Sequence, residues 1–270
     1  MIYRERELPG SARGARESRV PASSAIAAML MLLASATAPA EPIAADAARE
    51  ARNADQILAQ LVVGDPVWLS TPTHQRVFAL YTEPAGPARG AVVIAHGLGL
   101  NPDWGFIGTL RSDLPSHQFA TLSVQMPVLA QDASREAYRG LFNDSAERLA
   151  TAIAWLHSKG YAHIALVSHS LGASMANAFV ANSPKVDAWV AVGFAEDFAA
   201  RPAMPVLDVI GERDFPDVIA RSRTRRASLP KDRCSRTVTI AAADHYFERE
   251  TKALEAAIVP FLEQAFAGRC

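Results

Sequence analysis

Along the chain, short and mostly apolar runs alternate with stretches in which apolar residues recur every three or four positions. The runs fall at 91–95 (AVVIA), 120–124, 163–167, 186–192, 206–210 and 237–241, and their length and lack of strict alternation predict buried strands. Ahead of them, a helix is predicted at 46–61, with Ile57, Leu58 and Leu61 on one side, followed by short strands at 67–69 and 76–81. The Pro- and Gly-rich stretch Glu83 to Gly90 is turn chemistry that delivers the chain into the first buried strand. The clearest helix precedes the run at 163–167. Asp144 is placed to cap it with Glu147 three residues on; Ala146, Leu149, Ala150, Ile153 and Leu156 form its apolar stripe, and Gly160 ends it. The last helix sets Leu254, Ala257, Ile258, Phe261, Leu262 and Ala265 at helical spacing around Pro260, which should kink it or remove one hydrogen bond. Strands alternating with helices predict an α/β domain built on a parallel sheet.

The first forty residues have a different pattern. Arginines at positions 4, 6, 13, 16 and 19 precede an apolar run of 14 residues, Ala25 to Ala38, and then Ala38-Pro39-Ala40. This is the layout of a secretory signal peptide, and the run is shorter than the roughly 20 residues a membrane-crossing helix needs. A signal peptide over 1–40 with cleavage after Ala40 is therefore expected, leaving a single domain over 41–270 that is exported, periplasmic or secreted.

Composition narrows the function classes. Half of the 270 residues are apolar, a fifth are charged and the formal net charge is -1, as in an ordinary globular protein. Without a concentrated positive surface, no nucleic-acid partner is expected. The cluster Arg221, Arg223, Arg225 and Arg226 could touch an anionic membrane or wall surface, but a solvated helix face is the commoner meaning of such a run. Only Cys234 and Cys270 are present. In an oxidising compartment they could close a loop that holds the last helix to the sheet; two unpaired thiols fit the sequence equally well.

Candidate chemistry sits just past the ends of the predicted strands. IALVSHSLG at 164–172 is a strand running into Ser168-His169-Ser170-Leu171-Gly172 and then into a helix of small residues. A serine hydroxyl becomes a useful nucleophile when held exposed at such a sharp strand-to-helix turn, with small neighbours that let the backbone fold tightly. Ser170 is the candidate nucleophile, and the Leu171 amide a candidate oxyanion donor. Upstream, AVVIA runs into His96-Gly97-Leu98-Gly99, where the Leu98 amide is the second candidate donor. Downstream, VLDVI leads to Asp214, the candidate acid, with Glu212 and Asp217 as fallbacks, and TVTIAA leads to His245, the candidate base. Asp214 would orient the imidazole and stabilise its charged form as the proton leaves Ser170. His169 reads as a structural neighbour whose ring points away from the exposed face of the elbow. The other histidines (His74, His96, His117, His157 and His163) lack ligand spacing, so neither a metal nor any other cofactor is expected.

These residues resemble the α/β-hydrolase superfamily over roughly residues 90–266. More narrowly, HGLGLNPDW with the following TLSVQMP is similar to a group of uncharacterised bacterial α/β-hydrolase-like proteins of unknown function. The resemblance implies the α/β-hydrolase fold, a mostly parallel central sheet with helices on both faces, and acyl hydrolysis through an acyl-enzyme on Ser170. One departure is Ser168, which stands where the elbow motif has its first glycine. Only Gly193 to Pro205 joins the strands at 186–192 and 206–210, which leaves no room for a large cap domain. The longer connection, 125–143, brings Tyr138, Leu141 and Phe142 either to a substrate groove or to the core. The expected activity is that of an exported serine esterase or related acyl hydrolase acting on a small ester or acyl substrate. The alternatives are a non-enzymatic binding protein of the cell envelope and a peptidase on the same scaffold.

Overall fold

The computed structural model describes residues 43–74, 76–182 and 186–270; the expected signal peptide and its cleavage site lie outside them. Eight strands form one sheet in the order β1-β2-β4-β3-β5-β6-β7-β8. They are β1 (Asp65–Leu69), β2 (Val77–Thr82), β3 (Gly90–Ala95), β4 (Phe119–Val124), β5 (Ile164–His169), β6 (Ala188–Val192), β7 (Val206–Gly211) and β8 (Arg236–Ile240). β2 runs antiparallel to both β1 and β4, and every pairing from β4 to β8 is parallel. Helices on both faces explain why the central strands are apolar throughout rather than alternating. In β3, Ala91, Val93 and Ala95 enter one core and Val92 and Ile94 the other.

Each core is closed by two helices. Leu149, Ile153 and Leu156 of α3 (Phe142–Ser158) join Met175 and Phe179 of α4 (Leu171–Asn182) on the first face. Ile107 and Leu110 of α2 (Gly105–Asp113) join Leu254, Ile258 and Phe261 of α6 (Thr251–Phe266) on the second. Ala54 and Ile57 of α1 (Ala47–Leu58) pack on Phe78 and Leu80 of β2, and α5 (Pro216–Ser228) lies beside β7 and β8. The loop from Gly193 to Pro205 joins β6 to β7 directly, with no cap domain. Among the described residues no helix is long and apolar enough to cross a membrane.

Two expectations about the helices are corrected. α3 begins at Phe142 with Leu141 as N-cap, so Asp144 lies inside the first turn and caps nothing; its carboxylate instead grips the Arg148 guanidinium, at 2.8 and 3.0 Å. The buried stripe of α3 is Ser145, Arg148, Leu149, Ala152, Ile153 and Leu156, whereas Ala150 is exposed. A fully paired arginine can occupy a buried position, but hydrophobic periodicity does not register it. α6 continues through Pro260. Its ring removes one N–H and frees the Ala256 carbonyl, and both residues face solvent, where water can satisfy that acceptor.

Cys234 and Cys270 form a disulfide with a Cα–Cα separation of 5.1 Å, joining the end of the chain beyond α6 to the segment that enters β8. Tyr138 and Leu141 are core residues, and the Tyr138 hydroxyl accepts a hydrogen bond from the Leu129 amide at 3.0 Å, so they pack rather than line a groove. The disulfide closes a loop of 36 residues, and its loss should lower stability by about 2–4 kcal/mol. Urea unfolding with and without reductant measures this, and superimposable curves for the oxidised protein and a Cys234→Ser/Cys270→Ser variant would contradict it.

Candidate functional site

β3 pairs with β4 on one side and β5 on the other, so the chain leaves the middle of the sheet in opposite directions. The crevice this opens at the carboxyl ends of the strands is where open α/β sheets gather ligands. The loops after β3 and β5 emerge side by side there. The packing between them is tight: a Cβ on Gly172 would lie 2.3 Å from the His96 carbonyl oxygen, and one on Gly97 would lie 2.8 Å from His169 Nδ1. Only glycine lets the start of α4 reach the end of β3.

At this elbow Ser170 adopts a φ of 54°, a left-handed conformation that non-glycine residues rarely take. The Ser170 amide donates to the Val192 carbonyl at 2.9 Å, and its own carbonyl accepts from Ala173 and Ser174, so both neighbours hold the turn. Ser168 fits it without a glycine. Its hydroxyl is buried and accepts a hydrogen bond from the Trp189 indole at 2.8 Å, which explains the departure from the motif.

The structure brings the three distant residues into one chain of hydrogen bonds. His245 Nδ1–H donates to Asp214 Oδ1 at 2.6 Å, and the Ser170 hydroxyl donates to His245 Nε2 at 2.9 Å. The carboxylate can only accept, which assigns the proton to Nδ1 and leaves Nε2 free to take one. Asp214 is held in turn by the Gly211 and Phe215 amides, at 3.2 and 2.8 Å. Gly211 is again required by close approach, since a Cβ there would lie 2.5 Å from the Ala243 carbonyl oxygen. Its smallness lets the loops of Asp214 and His245 meet. Phe215 stacks on the His245 ring with centroids 4.2 Å apart. The fallback carboxylates lie elsewhere: Glu212 accepts from the Ala242 amide and Asp217 from the Val218 amide.

Leu171 begins α4, so its amide has no partner four residues earlier within the helix. The Leu98 amide donates no hydrogen bond among the described residues. Both donors flank Ser170 on a cavity of about 140 Å³ whose other walls include Leu100, Arg135, Phe215 and Tyr246. A larger cavity of about 580 Å³, bordered by Glu50, Trp68, His74 and Arg148, shares no lining residue with it. The chain of hydrogen bonds therefore singles out the smaller one. Among the described residues, no three His, Cys, Asp or Glu side chains converge as a metal site requires.

Three supports of the site were not legible in the sequence. His96 Nδ1–H donates to the Gly97 carbonyl at 2.9 Å, while its Nε2 accepts from the Met126 amide at 2.9 Å, fixing the loop that carries Leu98. Arg49 of α1 donates to the Gly99 carbonyl at 3.0 Å and the Leu129 carbonyl at 2.6 Å, gripping the same loop from outside. His169 does not turn away from the site as expected. Its ring lies 4.8 Å from that of His245, and its Nε2–H donates to the His245 carbonyl at 3.0 Å. In the arginine cluster, Arg225 is wholly buried against Asp208 at 2.7 Å and cannot meet a membrane or wall. Arg221, Arg223 and Arg226 are exposed.

This architecture is the α/β-hydrolase fold. Residues 20–142 match the model of a family described as a protein of unknown function (DUF3530), and no curated protein matches the sequence. Among solved structures, the chain is similar to an α/β serine hydrolase homologue from Coxiella burnetii, at 18% identity and a TM-score of 0.61 over 74% of this chain and 98% of that one. It is similar to a dienelactone hydrolase from Anabaena variabilis, at 24% identity and a TM-score of 0.60 over 74% and 96%. A third is the esterase domain of a Rhodothermus marinus protein, at 15% identity and a TM-score of 0.58 over 76% and 98%. At these identities the likeness is one of fold.

Burial pushes the two supporting histidines well below their usual range. The His96 imidazole is lowered to about 4, with the charges of Arg148 and Arg49 acting in the same direction. His169 is lowered to about 3 by burial, helped by His245. Both are neutral in the folded protein at neutral pH, whereas in the unfolded chain they take up protons near pH 6.5. Their contribution to stability is intact above about pH 6.5 and is lost as pH falls towards 4, at up to about 1.4 kcal/mol per pH unit for each. Urea unfolding at about pH 7 and about pH 5 should give a clearly lower stability at the acid value; equal stabilities would contradict it.

Proposed function

We propose that this protein is a serine hydrolase that cleaves carboxylic esters through an acyl-enzyme on Ser170. The observation that carries the proposal is the hydrogen-bonded sequence from the Ser170 hydroxyl through His245 to Asp214, standing at the switch point of the sheet. In this reading Ser170 Oγ attacks the ester carbonyl as His245 Nε2 takes its proton. The imidazolium that forms is stabilised by Asp214, which stays ionised. The carbonyl oxygen, now carrying the charge, is met by the Leu98 amide from the loop after β3 and by the Leu171 amide at the positive end of α4. His245 then returns the proton to the departing alkoxide, and a water repeats the sequence to release the acid and free Ser170.

Other features fit an ester of modest size. The cavity of about 140 Å³ beside Ser170 is smaller than the roughly 300–1,000 Å³ of sites for drug-sized ligands, which suits a short acyl group. The dienelactone hydrolase and esterase domain that share this fold act on bonds of the same kind by their names. Export to the periplasm or medium belongs to the same proposal. Its supports are the leader pattern of residues 1–40 and the disulfide between Cys234 and Cys270, a bond that persists in oxidising compartments.

Ser170→Ala should abolish hydrolysis of a short-chain ester while leaving the unfolding transition in place. Asp214→Asn should reduce kcat by about 10²- to 10⁴-fold, because His245 then loses the partner that fixes its tautomer. Steady-state assays of the two variants check both expectations, and hydrolysis that survives Ser170→Ala would overturn the proposal.

A further inference from the structure

The described arginines that are shielded from water are matched to acceptors, with one exception. Among the described residues, Arg49, Arg111, Arg148, Arg225 and Arg236 are buried or half-buried, and each guanidinium donates to a carboxylate or a backbone carbonyl. Arg135 is the exception. It is half-buried and lines the cavity of Ser170, yet its guanidinium makes no hydrogen bond or ion pair with any described residue. The remaining walls contain no carboxylate: beside Ser170 and the two imidazoles of His169 and His245 they are Leu98, Leu100, Leu171, Phe215 and Tyr246.

A planar guanidinium presents a fork of donors that fits a carboxylate in bidentate fashion, and such charge-assisted bonds strengthen where solvent is partly excluded. An unmatched fork on a residue that lines a small cavity beside a nucleophile, with no carboxylate among the walls, is therefore a complement to negative charge on the substrate. The cavity volume of about 140 Å³ places that charge only a few bonds from the scissile carbonyl.

We propose that Arg135 is a specificity determinant that selects monoesters of short dicarboxylic acids, holding the free carboxylate of the acyl half while Ser170 attacks the ester carbonyl. This rests on the serine-hydrolase reading above. The Ser170 Oγ–C bond forms and the ester C–O bond breaks, with the serine proton passing through His245 to the alcohol. Water then cleaves the acyl-enzyme to release a diacid, whose second carboxylate leaves the guanidinium.

The test compares monomethyl glutarate with dimethyl glutarate, which share a skeleton and differ in one masked charge, using initial rates in a pH-stat. The wild-type protein should favour the monoester in kcat/KM by about 10- to 100-fold, the usual worth of a hydrogen bond to a charged group. That ratio should fall at least about tenfold in Arg135→Gln, recover in part in Arg135→Lys, and stay as in wild type in Arg139→Gln, an exposed arginine paired with Glu196. Because the readout is a ratio between two substrates, a general loss of folded protein does not move it. Equal use of both esters by the wild type, or an unchanged ratio in Arg135→Gln, would overturn this inference and leave the serine-hydrolase reading standing. Failure to hydrolyse either ester, with Ser170 also unreactive, would overturn both.

Discussion

The structure depends on how closely α4 is packed against the end of β3. With Gly172 seated on the His96 carbonyl, the chain leaving β5 has no room for a relaxed turn, and Ser170 is held at a φ of 54°. Such a conformation costs on the order of 1–3 kcal/mol and survives only where its surroundings over-determine it. Here they do: the Ser170 amide is tied to Val192, and its carbonyl accepts from the Ala173 and Ser174 amides of α4. The hydroxyl is thereby directed at His245 rather than back into the sheet.

The same crowding recurs where the other two residues meet. Gly211 admits the Ala243 carbonyl, and Gly193 admits the His245 ring, so the loops after β6, β7 and β8 converge on one imidazole. That ring is also stacked by Phe215 on β7's loop and neighboured by His169. Farther out, α1 joins the loop after β3 to the one after β4 through Arg49, and Glu50 ties α1 to α3 and to the loop after β4 by pairing with Arg148 and accepting from the Val128 amide. Burial raises the carboxyl of Glu50 despite the opposing charge of Arg148, so this clamp depends on a complete set of partners. The helix farthest from the chemistry in sequence thus positions the loop that carries Leu98.

Most of the sheet was legible because a strand buried on both faces must be apolar throughout, and each of the eight strands coincides with a run read from the pattern. The meeting of Ser170, Asp214 and His245 in one chain of hydrogen bonds was legible for a related reason: each follows its own strand, and the order Ser, Asp, His narrows the choice among loop residues. What could not be read were contacts between segments that pattern treats separately. Arg148 interrupts an apolar stripe, and its partner Glu50 lies on another helix. The His96 staple depends on the Met126 amide, which no motif records. Tyr138 and Leu141 drew attention to the connection between β4 and α3, but it is Arg135, a polar residue with no periodic signal, that reaches the cavity. The disulfide was undecidable because spacing does not encode a Cα separation of 5.1 Å.

In the proposed reaction, the geometry at the elbow makes the Ser170 hydroxyl the nucleophile. Treating the intact protein with a fluorophosphonate and locating the adduct by peptide mass spectrometry probes this at the residue itself. The expected result is a single stoichiometric adduct on Ser170, formed much more slowly when His245 is replaced by alanine. An unmodified Ser170, or an adduct on any other residue, would contradict it.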